Sequence, residues 1–328
     1  MPVPSLSPSY FSSLLPELAT RAARATVSTL GFSNPALRQY LSDRFSVELG
    51  EPGCFVGEPV FEATFGWESA NIRFDALAPS LLSRSLVHAL DQESNERYPH
   101  DRQPHRHQLE AWELLARPEP QSVIVTSGTG SGKTECFMIP ILDQLAREAE
   151  ASRGTIDGVR ALFLYPLNAL IQSQQERLHA WTSPFEGKIR FCLYNGQTPE
   201  RPDPQHIAAK KPNQVLDRQT LRSSPPSILV TNATMLEYML VRSQDAPILE
   251  QSKGKLQWIV LDEAHSYIGS QAAELSLLLR RVLHGFGVDS SNVRFVATSA
   301  TIGDPKGAAG QKLKEFLGGL AGVSPERV

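Results

Sequence analysis

The sequence predicts an α/β fold, a mainly parallel β-sheet flanked by helices, preceded by a mostly helical or irregular N-terminal region. From residue 105 onward, short apolar segments alternate with segments of helical spacing. The apolar segments are uninterrupted, as is typical of parallel strands that are buried on both faces. A chain of 328 residues with 41% hydrophobic content is also long enough to bury one large core of this kind.

The first 95 residues lack this alternation and are predicted to form an accessory region. Residues 1–20 are rich in Pro and Ser and are expected to be a loose arm. Apolar residues at helical spacing predict a helix over residues 13–30, and a second short helix is expected over residues 36–45. Residues 51–68 combine Gly, Pro and large aromatic residues without a period, which predicts an irregular packed segment.

Residues 96–305 are predicted to hold the sheet, and residues 306–328 to begin a linker. Apolar runs predict strands at residues 122–125, 161–165, 189–194, 227–231, 257–261 and 293–297. Helical spacing predicts helices at residues 108–115, 134–149, 168–181 and 311–317. Two polar segments, residues 149–158 and 198–226, are expected to be surface loops.

Composition limits the possible functions. The net charge is −3, so the chain has no global positive field that would hold nucleic acid nonspecifically. The three cysteines form no CxxC pair, which argues against a zinc site or a disulfide framework and fits a reducing cytoplasm. No run of about 18 apolar residues occurs and no signal peptide is recognisable, so we expect a cytoplasmic protein without a membrane partner.

A glycine-rich segment, SGTGSGKT at residues 127–134, follows a predicted strand and opens a predicted helix. Glycines remove Cβ atoms and permit positive φ, so backbone N–H groups can converge on an anion beside the helix N-terminus. In this pattern the lysine reaches the β and γ phosphates and the final hydroxyl binds Mg²⁺. The alternative, a glycine-rich turn without a ligand, is disfavoured by the GKT ending in this context. The predicted ATP-binding residues of the segment are Ser127, Gly128, Thr129, Gly130, Ser131, Gly132, Lys133 and Thr134.

Two carboxylates, Asp262 and Glu263, directly follow the predicted strand at residues 257–261. Ligands of α/β sheets bind at the carboxyl ends of strands. Asp262 is predicted to bind Mg²⁺ together with Thr134, and Glu263 to polarise the attacking water. With Lys133, these two carboxylates are the predicted catalytic residues. A plain helix cap is the alternative for the acidic pair, and its occurrence together with the GKT segment argues against it.

Four strings in a fixed order, TSGTGSGKTE, PLNALIQSQ, DEAH and ATSAT, resemble the first RecA-like lobe of superfamily-2 DEAD/DEAH-box helicases. The resemblance covers roughly residues 100–305. The strings YPLNAL, TNATMLEYML and LDEAHSYIGSQAAELSLLLRR are similar to those of MrfA/YprA-type and Druantia-type bacterial helicases. The resemblance implies a RecA-like P-loop NTPase domain, ATP and Mg²⁺ as cofactors, and ATP hydrolysis coupled to movement on DNA or, less expected, RNA. It also implies a role in DNA repair or phage defence.

The same resemblance implies roles for residues outside the phosphate-binding loop. Gln108 matches a glutamine that reads adenine, and its carboxamide can both donate and accept hydrogen bonds. Tyr98 or an aromatic residue of the N-terminal region is a candidate for stacking on the base. The SAT string is implied to couple hydrolysis to lobe movement. For each of these residues an ordinary cap, turn or surface role is the alternative. The implied coupling residues are His265, Ser299 and Thr301, and the implied nucleic-acid contacts are Pro166, Asn168, Thr231 and Asn232.

Few residues follow Thr301, too few for the second RecA-like lobe, with its arginine finger, that the resemblance implies. The sequence is therefore expected to be a fragment or split product that needs that lobe in cis or in trans. One alternative is a nucleotide-dependent switch or scaffold subunit without motor activity. Another is a different P-loop ATPase of the ABC or AAA+ class, against which the SAT string and the lack of an LSGGQ-like segment argue.

Overall fold

The computed structural model describes residues 8–45, 66–128, 130–152, 154–201, 211–267, 269–299 and 307–328. Its contacts divide the chain into two compact units, Met1–Gly66 and Trp67–Val328. This division differs from the boundary expected near residue 95. The reason is packing, because Phe74 and Tyr98 are buried in the same hydrophobic cluster as Trp112 of the sheet domain.

The described residues of the first unit form two helices, α1 (Pro8–Thr29) and α2 (Pro35–Phe45). The expected loose arm is wrong from Pro8 onward, because these residues already belong to α1. Asn34 caps α2 by accepting a hydrogen bond from the N–H of Ala36 at 2.9 Å. Of the predicted irregular segment at residues 51–68, the part up to residue 65 lies outside the described residues.

The second unit is built on a parallel sheet, which confirms the predicted fold class. In the described part of the chain, seven strands lie in the order β1-β7-β6-β2-β5-β3-β4, and every pair of neighbours is parallel. The strands are β1 (Val123–Thr126), β2 (Ala161–Leu164), β3 (Phe191–Leu193), β4 (Gln214–Val215), β5 (Ile228–Thr231), β6 (Trp258–Leu261) and β7 (Arg294–Ser299).

The helices of this unit cover both faces of the sheet. The helix predicted over residues 168–181 is two helices that meet at Gln174. The segment predicted to be a surface loop at residues 198–226 instead contributes β4 and a short helix with a buried Leu221. Outside the gaps in the described ranges, its helices are α3 (Arg84–Leu90), α4 (Arg106–Leu115), α5 (Lys133–Ala151), α6 (Asn168–Ser173), α7 (Gln175–Thr182), α8 (Arg218–Ser223), α9 (Ala233–Val241), α10 (Ala246–Ser252), α11 (Ser270–Phe286) and α12 (Ala308–Ala321).

Two hydrophobic clusters form the core, one on each face of the sheet. One cluster joins α3, α4, α5 and α7 to the sheet, and the other joins α9, α10, α11 and α12. Strand residues alternate between the clusters, as β2 shows with Phe163 in the first and Leu162 and Leu164 in the second. The sheet is therefore buried on both faces, which explains the uninterrupted apolar strands. None of the helices in the described residues is long and apolar enough to span a membrane.

Candidate functional site

Three of the predicted motifs meet at one edge of the sheet. β1 leads into Ser127, β6 leads into Asp262, and β7 ends at Ser299. β7 pairs with both other strands, and the registers place Thr126 opposite Ser299 and Leu261 opposite Ala297. Because all three strands are parallel, their carboxyl ends bring these loops together.

The glycine-rich loop has the backbone conformation that its sequence predicts. Gly130 (φ 77°) and Gly132 (φ 78°) lie in the left-handed region. A Cβ atom at Gly132 would lie 2.2 Å from Nε2 of Gln108, so a larger residue would displace the Gln108 carboxamide. The hydroxyl oxygens of Ser127 and Ser131, 2.6 Å apart, close the loop. Thr129 lies outside the described residues.

Lys133 is the first residue of α5, with Gly132 as its N-cap. Its half-buried ammonium donates to the backbone carbonyls of Ser127 at 2.9 Å and Gly128 at 3.4 Å. The lysine ammonium therefore lies directly over the predicted phosphate-binding loop. Phosphate oxygens bound at this helix N-terminus would replace those carbonyls as acceptors.

Asp262 is held by a residue that the sequence argument missed. The Thr298 hydroxyl on β7 donates to Oδ1 of Asp262 and also accepts the backbone N–H of Glu263 at 3.1 Å. Burial raises the pKa of Asp262 above its usual value, and the Thr298 hydrogen bond opposes that shift. The available signal was a hydroxyl in the otherwise apolar strand just before the SAT string.

The acidic turn also brings together two of the three predicted coupling residues. Nδ1 of His265 lies 3.2 Å from Oε2 of Glu263 and 3.5 Å from the hydroxyl of Ser299. Glu263 itself has a positive φ of 51°, an uncommon conformation for a non-glycine residue that is often found at functional sites. Thr301 lies outside the described residues.

Gln108 does not present an open carboxamide. Its side chain is fully buried, Oε1 accepts from the backbone N–H of His105 at 2.9 Å, and Nε2 donates to the carbonyl of Gly132 at 3.1 Å. Gln108 thus ties α4 to the start of α5. A contact with adenine would use the second hydrogen of Nε2 or the second lone pair of Oε1, and either would require this buried side chain to become exposed.

The aromatic residue beside the loop is Trp67 and not Tyr98. Tyr98 is only 1% exposed and packs against Phe74, so the suggested stacking role for Tyr98 is wrong. Trp67 is 40% exposed, and its ring would be 3.5 Å from a Cβ atom at Gly128. The ring also lies edge-on to His107, with centroids 5.6 Å apart. Sequence gave no reason to choose Trp67, because its neighbours have no periodic pattern.

The predicted nucleic-acid contacts separate into a surface group and a buried residue. Asn232 caps α9 through Met235 and donates its amide to Oδ1 of Asn168 at 2.8 Å, so these two motifs are joined. Thr231 is fully buried, and its hydroxyl donates to the carbonyl of Tyr194 at 2.7 Å. It is therefore not available to contact a nucleic-acid strand. A cavity of about 510 Å³ opens beside the surface group. Its lining, called here the α6–α9 pocket, comprises Pro166, Leu167, Asn168, Asn232, Ala233, Thr234, Glu237, Ser266, Tyr267, Gln271, Glu274, Leu275 and Leu278.

The residues near Asp262 fit a magnesium ion better than a protein-bound transition metal. Among the described residues, no group of three or more His, Cys, Asp or Glu side chains could hold a metal ion. Mg²⁺ is usually held by one or two carboxylates and by substrate phosphates, with waters completing the shell. The Asp262 carboxylate and the Thr134 hydroxyl provide oxygen ligands of that kind. Burial of Asp262 also favours a cation at this point, because a cation compensates a desolvated negative charge.

Comparisons with known proteins identify the family of this chain. A family model described as DEAD/DEAH box helicase matches residues 105–307. The Druantia protein DruE of Escherichia coli is 26% identical over 315 residues, which cover 68% of this chain and 17% of that protein. The uncharacterized ATP-dependent helicase YprA of Bacillus subtilis is 29% identical over 205 residues, 61% of this chain and 23% of that protein.

A crystal structure of the helicase MrfA bound to DNA and AMPPNP shares the fold. Its TM-score is 0.54 at 24% identity, over 78% of this chain and 29% of that chain. The present chain thus spans less than a third of the length of each of these proteins.

Proposed function

The chain belongs to the DEAD/DEAH box helicase family, and we propose that it is the ATP-binding lobe of an ATP-dependent helicase or translocase that moves on DNA. The observation that carries the proposal is the meeting of Lys133, Asp262 and Thr298 at the carboxyl ends of neighbouring strands. Phosphoryl transfer depends mainly on positioning and on charge stabilisation, and these groups supply both.

Each site residue has a proposed task in ATP hydrolysis. The loop N–H groups and the start of α5 bind the phosphates, and Lys133 contacts the β and γ phosphates. Thr134 and Asp262 hold Mg²⁺, which neutralises charge on the phosphates. Glu263 orients and polarises the attacking water, and Thr298 fixes Asp262 for its task. His265 and Ser299, which lie within reach of each other, would transmit a change at Glu263 to the end of β7, and Thr301 is proposed to act with them.

The base of the nucleotide is proposed to lie between Trp67 and α4. The exposed indole ring beside Gly128 offers a face for stacking, and aromatic stacking is worth about 1–3 kcal/mol per base. A hydrogen bond from Nε2 of Gln108 to an acceptor nitrogen of adenine would require the buried carboxamide to turn outward, away from its contacts with His105 and Gly132.

The nucleic-acid strand is proposed to bind at Pro166, Asn168 and Asn232. Asn168 is exposed beside the α6–α9 pocket, and its hydrogen bond to Asn232 joins the two segments. Support for DNA comes from the similar helicase MrfA, whose structure was determined with DNA. A role in phage defence or DNA repair, which the sequence resemblance implies, is part of this proposal. A second RecA-like lobe, in cis or in trans, is proposed to complete the motor.

The proposal is tested with the 328-residue chain, fluorescent ADP, and a labelled single-stranded DNA oligonucleotide. We expect Mg²⁺-dependent nucleotide binding that Lys133→Ala abolishes without lowering the melting temperature, and salt-sensitive DNA binding that Lys133→Ala leaves unchanged. Unaltered nucleotide affinity in a folded Lys133→Ala protein would remove the site assignment. Adding the second lobe separates motor from switch, since a motor hydrolyses ATP faster when DNA is present.

A further inference from the structure

Glu135 is a buried carboxylate in the first turn of α5, next to Thr134 and two residues after Lys133. Glu135 is only 9% exposed, and its Oε2 atom has no hydrogen-bond partner among the described residues. The carbonyl of Glu135 accepts the indole N–H of Trp112 at 2.9 Å, so its backbone is fixed against α4. A buried negative charge next to a nucleotide site is costly unless something compensates it.

The compensating charge comes from α7, the helix that follows the proposed strand contacts. Nη1 of Arg177 lies 3.7 Å from Oε1 of Glu135, the one ion pair that this carboxylate makes in the described part of the chain. Nε of the same guanidinium donates to Oε2 of Glu96 at 2.9 Å. The guanidinium also lies over the ring of Trp181, 5.8 Å from its centroid. Arg177 is thus fixed on one side and reaches the phosphate-binding helix on the other.

Two consecutive short helices, α6 and α7, connect Arg177 with the proposed nucleic-acid contact at Asn168. α6 begins at Asn168, whose side chain accepts from Asn232, and α7 follows α6 directly at Gln174. A shift of Asn168 by bound DNA, if passed through α6 and Gln174 to α7, would change the distance between Arg177 and Glu135. In a low-dielectric interior, a change of that distance alters the interaction energy strongly.

We propose that Glu135 and Arg177 are positioning residues that link nucleotide binding at the phosphate-binding loop to nucleic-acid binding at α6, inside this one lobe. The inference rests on the proposed function, because it takes ATP and DNA as the ligands of the two regions. Glu135 acts on Lys133 and Thr134 through the first turn of α5. Arg177 acts on Asn168 through α7 and α6. By linkage, each ligand changes the affinity of the other by the same factor.

The coupling factor is measured as the ratio of two dissociation constants. Labelled single-stranded DNA is titrated with the 328-residue chain, once without nucleotide and once with saturating Mg²⁺ and AMPPNP. For the wild-type chain we expect a ratio at least roughly fivefold away from one, the lower end of common allosteric couplings. Glu135→Gln keeps the shape of its side chain and removes the charge, whereas Arg177→Gln removes the guanidinium. Each should bring the ratio to within about twofold of one.

Three further variants separate positioning from stability. Arg177→Lys keeps a positive charge at this place and should restore part of the coupling. The double variant should show no further loss beyond either single variant, because both remove the same interaction. Arg160→Gln is the matched control, since Arg160 makes a partly buried ion pair with Glu148 at the other end of α5, at 2.6 Å. It should lower the melting temperature and leave the coupling factor unchanged.

The outcomes distinguish this inference from the proposed function. A wild-type chain that binds neither DNA nor nucleotide contradicts both. A wild-type chain that binds both ligands independently contradicts the inference alone, as does an Arg177→Gln or Glu135→Gln protein with wild-type coupling. If Arg160→Gln lost the coupling to the same extent, the loss would reflect lower stability of the fold and not positioning by Glu135 and Arg177. That result would also overturn the inference.

Discussion

The hydroxyl of Thr298 donates a hydrogen bond to the carboxylate of Asp262 and accepts one from the N–H of Glu263. β7 and β6 are neighbours, so this contact crosses from one strand end to the next. One side chain therefore fixes both acidic residues of the site relative to the sheet. Thr298 directly precedes Ser299, the first residue of the SAT string. The contact therefore connects the DEAH turn with β7 at the point where the SAT string begins.

Thr298→Val removes this hydroxyl and keeps the shape of the side chain. We expect the free energy of unfolding to fall by about 1–3 kcal/mol, because a buried carboxylate and a backbone N–H each lose a partner. Mg²⁺-dependent ADP affinity should fall as well, since Asp262 is no longer held in place. Chemical denaturation and ADP titration measure the two effects. Thr298→Ser keeps the hydroxyl and should behave like the wild type; equal losses in both variants would contradict the assignment.

Asp262→Asn should stabilise the folded chain at neutral pH. Burial raises the pKa of Asp262, so the folded state binds its proton more tightly than the unfolded state. Above that raised pKa the ionised carboxylate costs stability, and the cost disappears as the pH falls through it. Melting curves of the two proteins should therefore differ most at neutral pH and converge toward acid. A difference that grows on acidification would contradict this prediction.

Glu263→Gln should leave Mg²⁺–ATP affinity near the wild-type value and reduce single-turnover hydrolysis by a factor on the order of 10²–10⁴, the usual contribution of a general base. The amide has the shape of the carboxylate but cannot polarise water as strongly. Single-turnover assays with the second RecA-like lobe supplied, and with protein in excess of labelled ATP, measure the loss. Glu113→Gln, which alters an exposed glutamate on α4, is the control. Hydrolysis at the wild-type rate in Glu263→Gln would assign the catalytic role to another residue.

Strands buried on both faces were the most predictable part of this fold. β2 and β6 are continuous apolar runs in the sequence because both of their faces lie in hydrophobic clusters. β4 was missed because it has only two residues, Gln214 and Val215, too few to show a period. The divided helix at Gln174 was also missed, since the residues on both sides of it favour helix equally well.

The site was predictable where backbone chemistry dictates the residue type and less so where side-chain direction decides. Gly130 and Gly132 require positive φ, so their pattern identifies the loop from sequence alone. Thr231 and Asn232 are adjacent and chemically similar, yet one is buried against Tyr194 and the other caps a helix at the surface. That distinction depends on which way the end of β5 faces. Thr298 and Arg177 depend on long-range packing, which local patterns do not contain.

Glu274→Gln should strengthen DNA binding at the α6–α9 pocket. The pocket is lined by the carboxylates of Glu237 and Glu274, and no Lys or Arg is among its lining residues in the described structure. Arg281 lies 3.6 Å from Glu237 and compensates its charge, so the exposed Glu274 carries most of the repulsion. At surface distances one such repulsion is about 1 kcal/mol in water, which corresponds to roughly a fivefold gain in affinity when it is removed.

Anisotropy titrations with labelled single-stranded DNA measure this gain at low and high ionic strength. The gain should shrink as salt is added, because exposed charges are screened over about 10 Å at 0.1 M salt. Glu113→Gln is the control, since Glu113 is exposed beside Trp258 and Arg294, the first residues of β6 and β7, at the opposite edge of the sheet. Equal gains in both variants would show that only net charge matters. No gain in Glu274→Gln would place the strand away from this pocket, because a phosphate backbone that passes the carboxylate cannot avoid its repulsion at low salt.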